Sequence, residues 1–172
     1  PTLEASYSWF SSEDDSNNAM LDVRYDVAHG KSMVFTNLAL DADDQLRQRM
    51  AWALSQIYVV GVGGVTEARS HNEFWLVYYD IFVRNAFGNL YDLLRDISFS
   101  PMMAVYLTYM GSTQYDGDVG YPDENYAREF MQLFTIGLLE LHPDGTPTGA
   151  ETYTSDDIAT GARLWTGFDA PP

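Results

Sequence analysis

The chain has 172 residues, enough for one domain of ordinary size, and its 46% hydrophobic and 15% aromatic content can fill a real core, which argues against disorder despite a net charge of −16. Lys31 is the sole lysine among nine basic residues, so the acidic surface argues against nucleic-acid binding and repels anionic membranes. The absence of cysteine removes disulfides, zinc–thiolate sites and cysteine nucleophiles from this chain.

No apolar run reaches the roughly 18 residues of a membrane-spanning helix. The nearest, MAWALSQIYVVGVGGV, is broken by Ser55, Gln56 and three glycines. No signal peptide is visible. The chain starts at Pro1 without methionine and stops in FDAPP just after a helix that reads as internal to a domain, so we expect a segment of a longer protein. The charge suits a secreted or surface-exposed protein in a salty exterior, with an acidic cytosolic protein as the alternative.

In chain order, residues 1–20 are rich in Ser, Asp and Asn and read as a loop or arm. Residues 21–40, with LDVRYDV and SMVFTNLAL, fit strands or helix turns equally, so 1–40 is taken as an N-terminal arm and irregular segment. From Asp41 or Asp43 the sequence predicts a helix through LRQRMAWALSQIYVV, stopping at Gly61. After the loop GVGGVTEARS, a second helix over about 72–87 is apolar nearly all round and is expected to be buried. Gly88 stops it, and Asn89 caps a short helix, YDLLRDI. Ser100-Pro101 then opens a helix on PMMAVYLTYM.

GSTQYDGDVGYP reads as a loop, followed by an amphipathic helix over about 123–140 with Tyr126, Phe130, Leu133, Phe134, Gly137 and Leu138 on its core arc. PDGT favours a tight turn and a small hairpin near 141–153. Thr154 and Asp157 form a capping box for a last helix, with Ile158, Ala162 and Trp165 as its core stripe. The fold class is mostly α: a multi-helix single domain over 41–172 with one hairpin or turn excursion, expected to be the N-terminal part of a longer family domain.

Few of the charged clusters point to a chemistry. GVGGV lacks the spacing of a dinucleotide loop, since position 66 is Thr, and it follows a helix. None of His29, His71 and His142 stands three residues after a Glu, so a di-iron bundle has no ligands here. Glu73, Asp80 and Arg84 fall within about 40° on the second helix. They read as an Asp80–Arg84 ion pair with Glu73 near solvent, or else as a polar pocket. Asp116 and Asp118 are weak calcium candidates, because the full D-x-[DN]-x-[DN]-G pattern is missing and a solvated loop explains them as well; no other cofactor is expected. Glu124 and Arg128, four apart, read by periodicity alone as an exposed pair.

The runs NYAREFMQLFTIGL, ELHPDGTP and YTSDDIATGARLWTGF, with LRQRMAWALSQIYVV, NAFGNLYDLLRDISFSPMMAVYL and YPDENYARE upstream in matching order, resemble the domain-of-unknown-function 1800 family over about 40–168. Members of that family carry N-Y-A-R-E-L-M-x-L-F-[ST]-x-G, then N-P-D-G-T, then Y-T-x-x-D-[IV] and A-R-x-[FL]-T-G-[WF]. The chain departs where many relatives have Asn-His-Phe: it reads SQIYVV. The resemblance implies a largely helical fold, often in exported proteins beside a sulfatase-like family, and no reaction. It places Arg128, Glu129, Asp157 and Arg163 on motif positions. That suggests a buried clamp between two helices, Arg128 or Arg163 with Asp157 or Glu129; a functional pocket and a solvated face are the alternatives.

The expected function is a structural or interaction module of a secreted or surface-exposed protein, met by a protein partner or by the remainder of its own chain. The alternative is an enzyme of unknown reaction on an extracellular substrate, with a polar site around Arg128 and Glu129 and with Asp157 and Arg163 as further catalytic candidates.

Overall fold

The computed structural model describes residues 27–61, 65, 72–114 and 120–169. The arm over 1–26 and the calcium candidates Asp116 and Asp118 lie outside them. The described chain is mostly α, with one two-stranded antiparallel sheet. It falls into two compact units, one ending at Ile97 and one beginning at Ser98.

In the first unit, α1 (Val27–Asp41), α2 (Gln45–Ile57) and α3 (Asn72–Asn85) pack against one another, and α4 (Leu90–Ser98) follows. Residues 27–41 thus correct the irregular segment expected up to residue 40. The apolar side chains of SMVFTNLAL are spread around the helix, so neither helical nor strand periodicity stands out in the sequence.

Helix α2 starts at Gln45 with Asp44, rather than Asp41 or Asp43, at the cap position, and Asp44 makes no capping bond from its side chain. Its C-terminal end is closed by α3: the buried Tyr78 hydroxyl donates to the Tyr58 carbonyl at 2.8 Å. Tyr58, Tyr78 and Phe82 form an aromatic core, with Tyr78 edge-on to Phe82 at 5.2 Å between ring centroids. The Arg47 guanidinium donates to the Val83 carbonyl at 3.0 Å and lies over the Phe87 ring, tying the first turn of α2 to the end of α3. Helix α3 is less enclosed than its composition suggests: Trp75, Tyr78, Ile81 and Phe82 are buried, while Phe74 and Val77 are exposed. Asn89 caps α4 as expected, accepting from the Asp92 amide at 2.9 Å.

The second unit opens with α5 (Pro101–Tyr106), set by Ser100 as the N-cap and Pro101 at the first position. Helix α6 (Asn125–Glu129) continues without a break into a π-helical turn (Phe130–Thr135). The single helix expected over 123–140 is therefore shorter and wider. The Ile136 and Gly137 amides both donate to the Met131 carbonyl, and the Thr135 hydroxyl takes the Phe130 carbonyl at 2.7 Å. Gly137 at φ +76° ends the element. The wider winding shifts the periodicity, so Phe134 is buried while Leu133 and Leu138 face out, against the arc drawn from the sequence.

Strands β1 (Leu139–Leu141) and β2 (Pro147–Glu151) pair antiparallel, Leu139 opposite Glu151, around the PDGT turn. Asp144 Oδ1 accepts from the Thr146 hydroxyl and amide, which holds its carboxyl below the usual range. The Thr152 hydroxyl donates to the Gly137 carbonyl and links the hairpin to the end of the π turn.

Helix α7 (Ser155–Leu164) carries the complete Thr154–Asp157 capping box. Its inner face, Ile158 and Ala162, packs on Ala127 of α6, with Met131, Tyr153 and Trp165 around them. Gly161 makes this approach close: a Cβ there would stand 3.3 Å from the Ala127 Cβ.

Candidate functional site

The charges of the motif helices are placed by their hydrogen bonds. Arg128 donates to Glu124 Oε2 at 3.0 Å, and both side chains are nearly half exposed. Asp157 is fully taken up by the cap: Oδ2 accepts from the Thr154 amide and hydroxyl, each at 2.8 Å, and these bonds hold its exposed carboxyl below the usual range. Arg163 is exposed in the last turn of α7, where a positive charge favours the helix dipole. Glu129 differs from the rest. Its Oε2 is buried and meets no donor.

The buried clamp suggested by the family motif is therefore not what these residues form. Arg128 prefers a partner one turn back on its own helix, and Asp157 is occupied by α7's N-terminus. Among the described residues, no ion pair joins Arg128 or Arg163 to Glu129 or Asp157. On α3, Arg84 is exposed and Asp80 half-buried. Among the described residues, no group of three or more His, Asp or Glu side chains stands close enough to hold a metal ion, and no helix is long and apolar enough to cross a membrane.

What the NYARE motif does bury is Tyr126. Its ring is fully enclosed, 4.6 Å from Tyr109 and 4.8 Å from Trp165 between centroids, with Phe99 and Phe168 completing the cluster around Trp165. Its hydroxyl lies 2.6 Å from Ser98 Oγ, and the Tyr109 hydroxyl donates to the Ser98 carbonyl at 2.5 Å. Burial pushes the Tyr126 phenol up to about 12, and pushes Tyr109 up further, helped by the neighbouring Tyr126 oxygen. The two phenols thus stay neutral near neutral pH, where the Tyr109 hydroxyl donates and the Tyr126 hydroxyl shares a hydrogen bond with Ser98 Oγ.

Two concave sites lie in the first unit. A cleft of about 370 Å³ runs between α1, α2 and α3, walled by Phe35, Trp52, Trp75, Tyr78, Tyr79 and Phe82, with Thr36, Ser55 and Gln56 among its polar groups. Burial pushes the Tyr79 phenol up to about 12, so this wall is uncharged too. A second cavity of about 290 Å³ adjoins it across the Phe35–Trp52 pair, whose rings are 4.1 Å apart. The sequence predicts a buried helix here, apolar nearly all round. The pattern itself was visible; that one edge of it stays open depends on α1, which the sequence left undefined.

Helices of this order, one hairpin, and a capping box behind the Gly161–Ala127 contact define a mostly helical protein class built on the N-Y-A-R-E and T-G-A-R motifs. The chain belongs to the family described as protein of unknown function (DUF1800), which matches residues 4–172 and so extends upstream of the motifs themselves. No curated protein and no solved structure is found to match the chain.

Proposed function

We propose that this chain is a non-catalytic interaction module of a secreted or surface-exposed protein, and that its first unit holds an apolar segment of a protein partner or of its own continuing chain. The observation that carries this reading is the aromatic cleft between α1, α2 and α3. Interface cores favour aromatic anchors and few charges, and this cleft has six aromatic walls and no ionised group. The charge of −16 supports a saline exterior, where such a surface is screened.

A photo-crosslinking residue at Val59, which lines the cleft and is half exposed, tests this in the full-length protein. The expected product joins Val59 to one defined peptide, while the same probe at the exposed Leu164 does not. Equal, diffuse labelling at both positions would remove the reading.

An enzyme acting on an extracellular substrate is the second reading. It is favoured by one feature, the buried and unpartnered Glu129 Oε2 beside a π-helical turn, an element frequent at functional sites. Turnover of an extracellular polymer that disappears in Glu129→Gln, with the fold intact, would put it first.

A further inference from the structure

The hairpin of the second unit is a two-stranded ribbon, exposed along β1 and along β2. Such a ribbon is marginally stable in water, and a third strand is one way to hold it. The two edges differ in what they offer to an added strand. On β2 the outer edge is blunted. Pro147 has no N–H, Gly149 at φ +90° lies where the register shifts, and the Ala150 amide donates to the Thr148 hydroxyl at 3.1 Å.

On β1 the edge is open. The residues at either end of this strand face β2: the His142 amide donates to the Thr146 carbonyl at 2.8 Å, and the Leu138 carbonyl accepts from the Thr152 amide at 3.2 Å. Backbone groups alternate sides along a strand. Leu139 and Leu141, opposite Glu151 and Pro147, therefore turn their own N–H and C=O groups away from β2. Both residues are exposed, Leu141 by 62%. The charge of Glu140 between them is the one guard on this edge, and it decides which strand can pair there.

An added antiparallel strand forms hydrogen-bonded pairs at Leu139 and Leu141 and a closer, non-bonded pair at Glu140. Opposite charges in such a pair attract, and like charges repel. A second copy of this chain is disfavoured on that ground. The antiparallel register that uses both leucines sets Glu140 against its own equivalent, and each copy carries a net charge of −16. Lys or Arg is the complementary residue opposite Glu140. On the other face, Leu139 and Leu141 call for apolar side chains. Apolar surface also continues ahead of the strand, where Leu133, Ile136 and Leu138 are all exposed.

We propose that the free edge of β1 takes a third strand from a protein partner, an antiparallel segment that reads apolar–basic–apolar. Backbone bonds to Leu139 and Leu141 hold the segment, and the basic side chain opposite Glu140 selects it. This partner is independent of the one argued for the cleft of the first unit.

The test titrates the full-length protein with a labelled, capped Thr-Val-Arg-Val-Thr peptide and with its Thr-Val-Glu-Val-Thr counterpart. Fluorescence anisotropy reads binding, and hydrogen exchange reads the Leu139 and Leu141 amides. The arginine peptide is expected to saturate, to slow exchange at both amides and to bind tighter than the glutamate peptide. Attraction by the whole acidic protein gives that order too, so Glu140→Lys decides. It should cut the preference by about fivefold. Asp41→Lys makes the same charge change at an exposed site in the first unit and should leave the preference in place. The arginine peptide N-methylated at both valines keeps its side chains, loses its donors and should no longer bind. No saturable binding, an equal preference in Glu140→Lys and Asp41→Lys, or undiminished binding of the N-methylated peptide overturns the proposal. Self-association that protects the same two amides overturns it in favour of a second copy.

Discussion

Tyr126→Phe isolates one buried hydroxyl in the second unit. The ring is fully enclosed and its packing against Tyr109, Trp165 and Phe134 survives the change, so no cavity larger than an oxygen atom is made. What disappears is the 2.6 Å contact with Ser98 Oγ. A net hydrogen bond is worth about 0.5–1.5 kcal/mol, and a stranded buried partner costs about 1–3 kcal/mol. Ser98 has further bonding of its own, so the lower part of that span applies, about 1–1.5 kcal/mol. Tyr126→Ala, which also removes the ring, should cost about 3–5 kcal/mol. The hydroxyl has a second signature. The folded phenol titrates near 12 against the ordinary 10, so its stabilisation is full below pH 10 and is lost as pH rises through about 12. Tyr126→Phe should therefore flatten the alkaline fall in stability between pH 10 and 12. Urea melts across that range, with an unchanged m-value, measure both effects. A neutral substitution that also leaves the alkaline limb unaltered would refute the buried, hydrogen-bonded placement of Tyr126.

Arg128→Ala should lower stability by less than about 1 kcal/mol, because the pair with Glu124 is exposed and four residues apart on one helix; a loss of about 3 kcal/mol or more in urea melts would restore the buried clamp. Thr154→Ala removes the capping box and should cost about 1 kcal/mol at neutral pH. The Asp157 carboxyl is held low by Thr154, so its contribution is present above the ordinary 3.8 and lost as pH falls below it. Acid titration of stability should then be shallower in Thr154→Ala than in the parent, and equal slopes would remove Asp157 from the acid response.

The parts of the fold read correctly from sequence are those with strong local chemistry. Thr154 and Asp157 specify their box within four residues, Ser100-Pro101 and Asn89 mark helix starts, and PDGT marks the turn. Where local chemistry is weak, tertiary packing decides. Helix α1 shows no clear stripe and is formed against α2 and α3. The π turn after Glu129 has no recognised sequence signal, and it moves Leu133 outward while keeping Phe134 inside.

The same distinction separates the candidate sites. Charges that stand out in a motif invite a catalytic or clamping role, yet Arg128 and Asp157 serve their own helices and Arg163 faces solvent. The residues that create concave space are a phenylalanine on α1, a tryptophan on α2 and aromatics on α3. Gln48 is recognisable only once the fold buries it, since an exposed glutamine oxygen is satisfied by water and a buried one is not. A polar atom becomes informative when the fold removes its solvent without supplying a partner. By that criterion Glu129 ranks above the other charges that the motif displays, because its Oε2 is buried without a donor while Arg128, Asp157 and Arg163 are exposed.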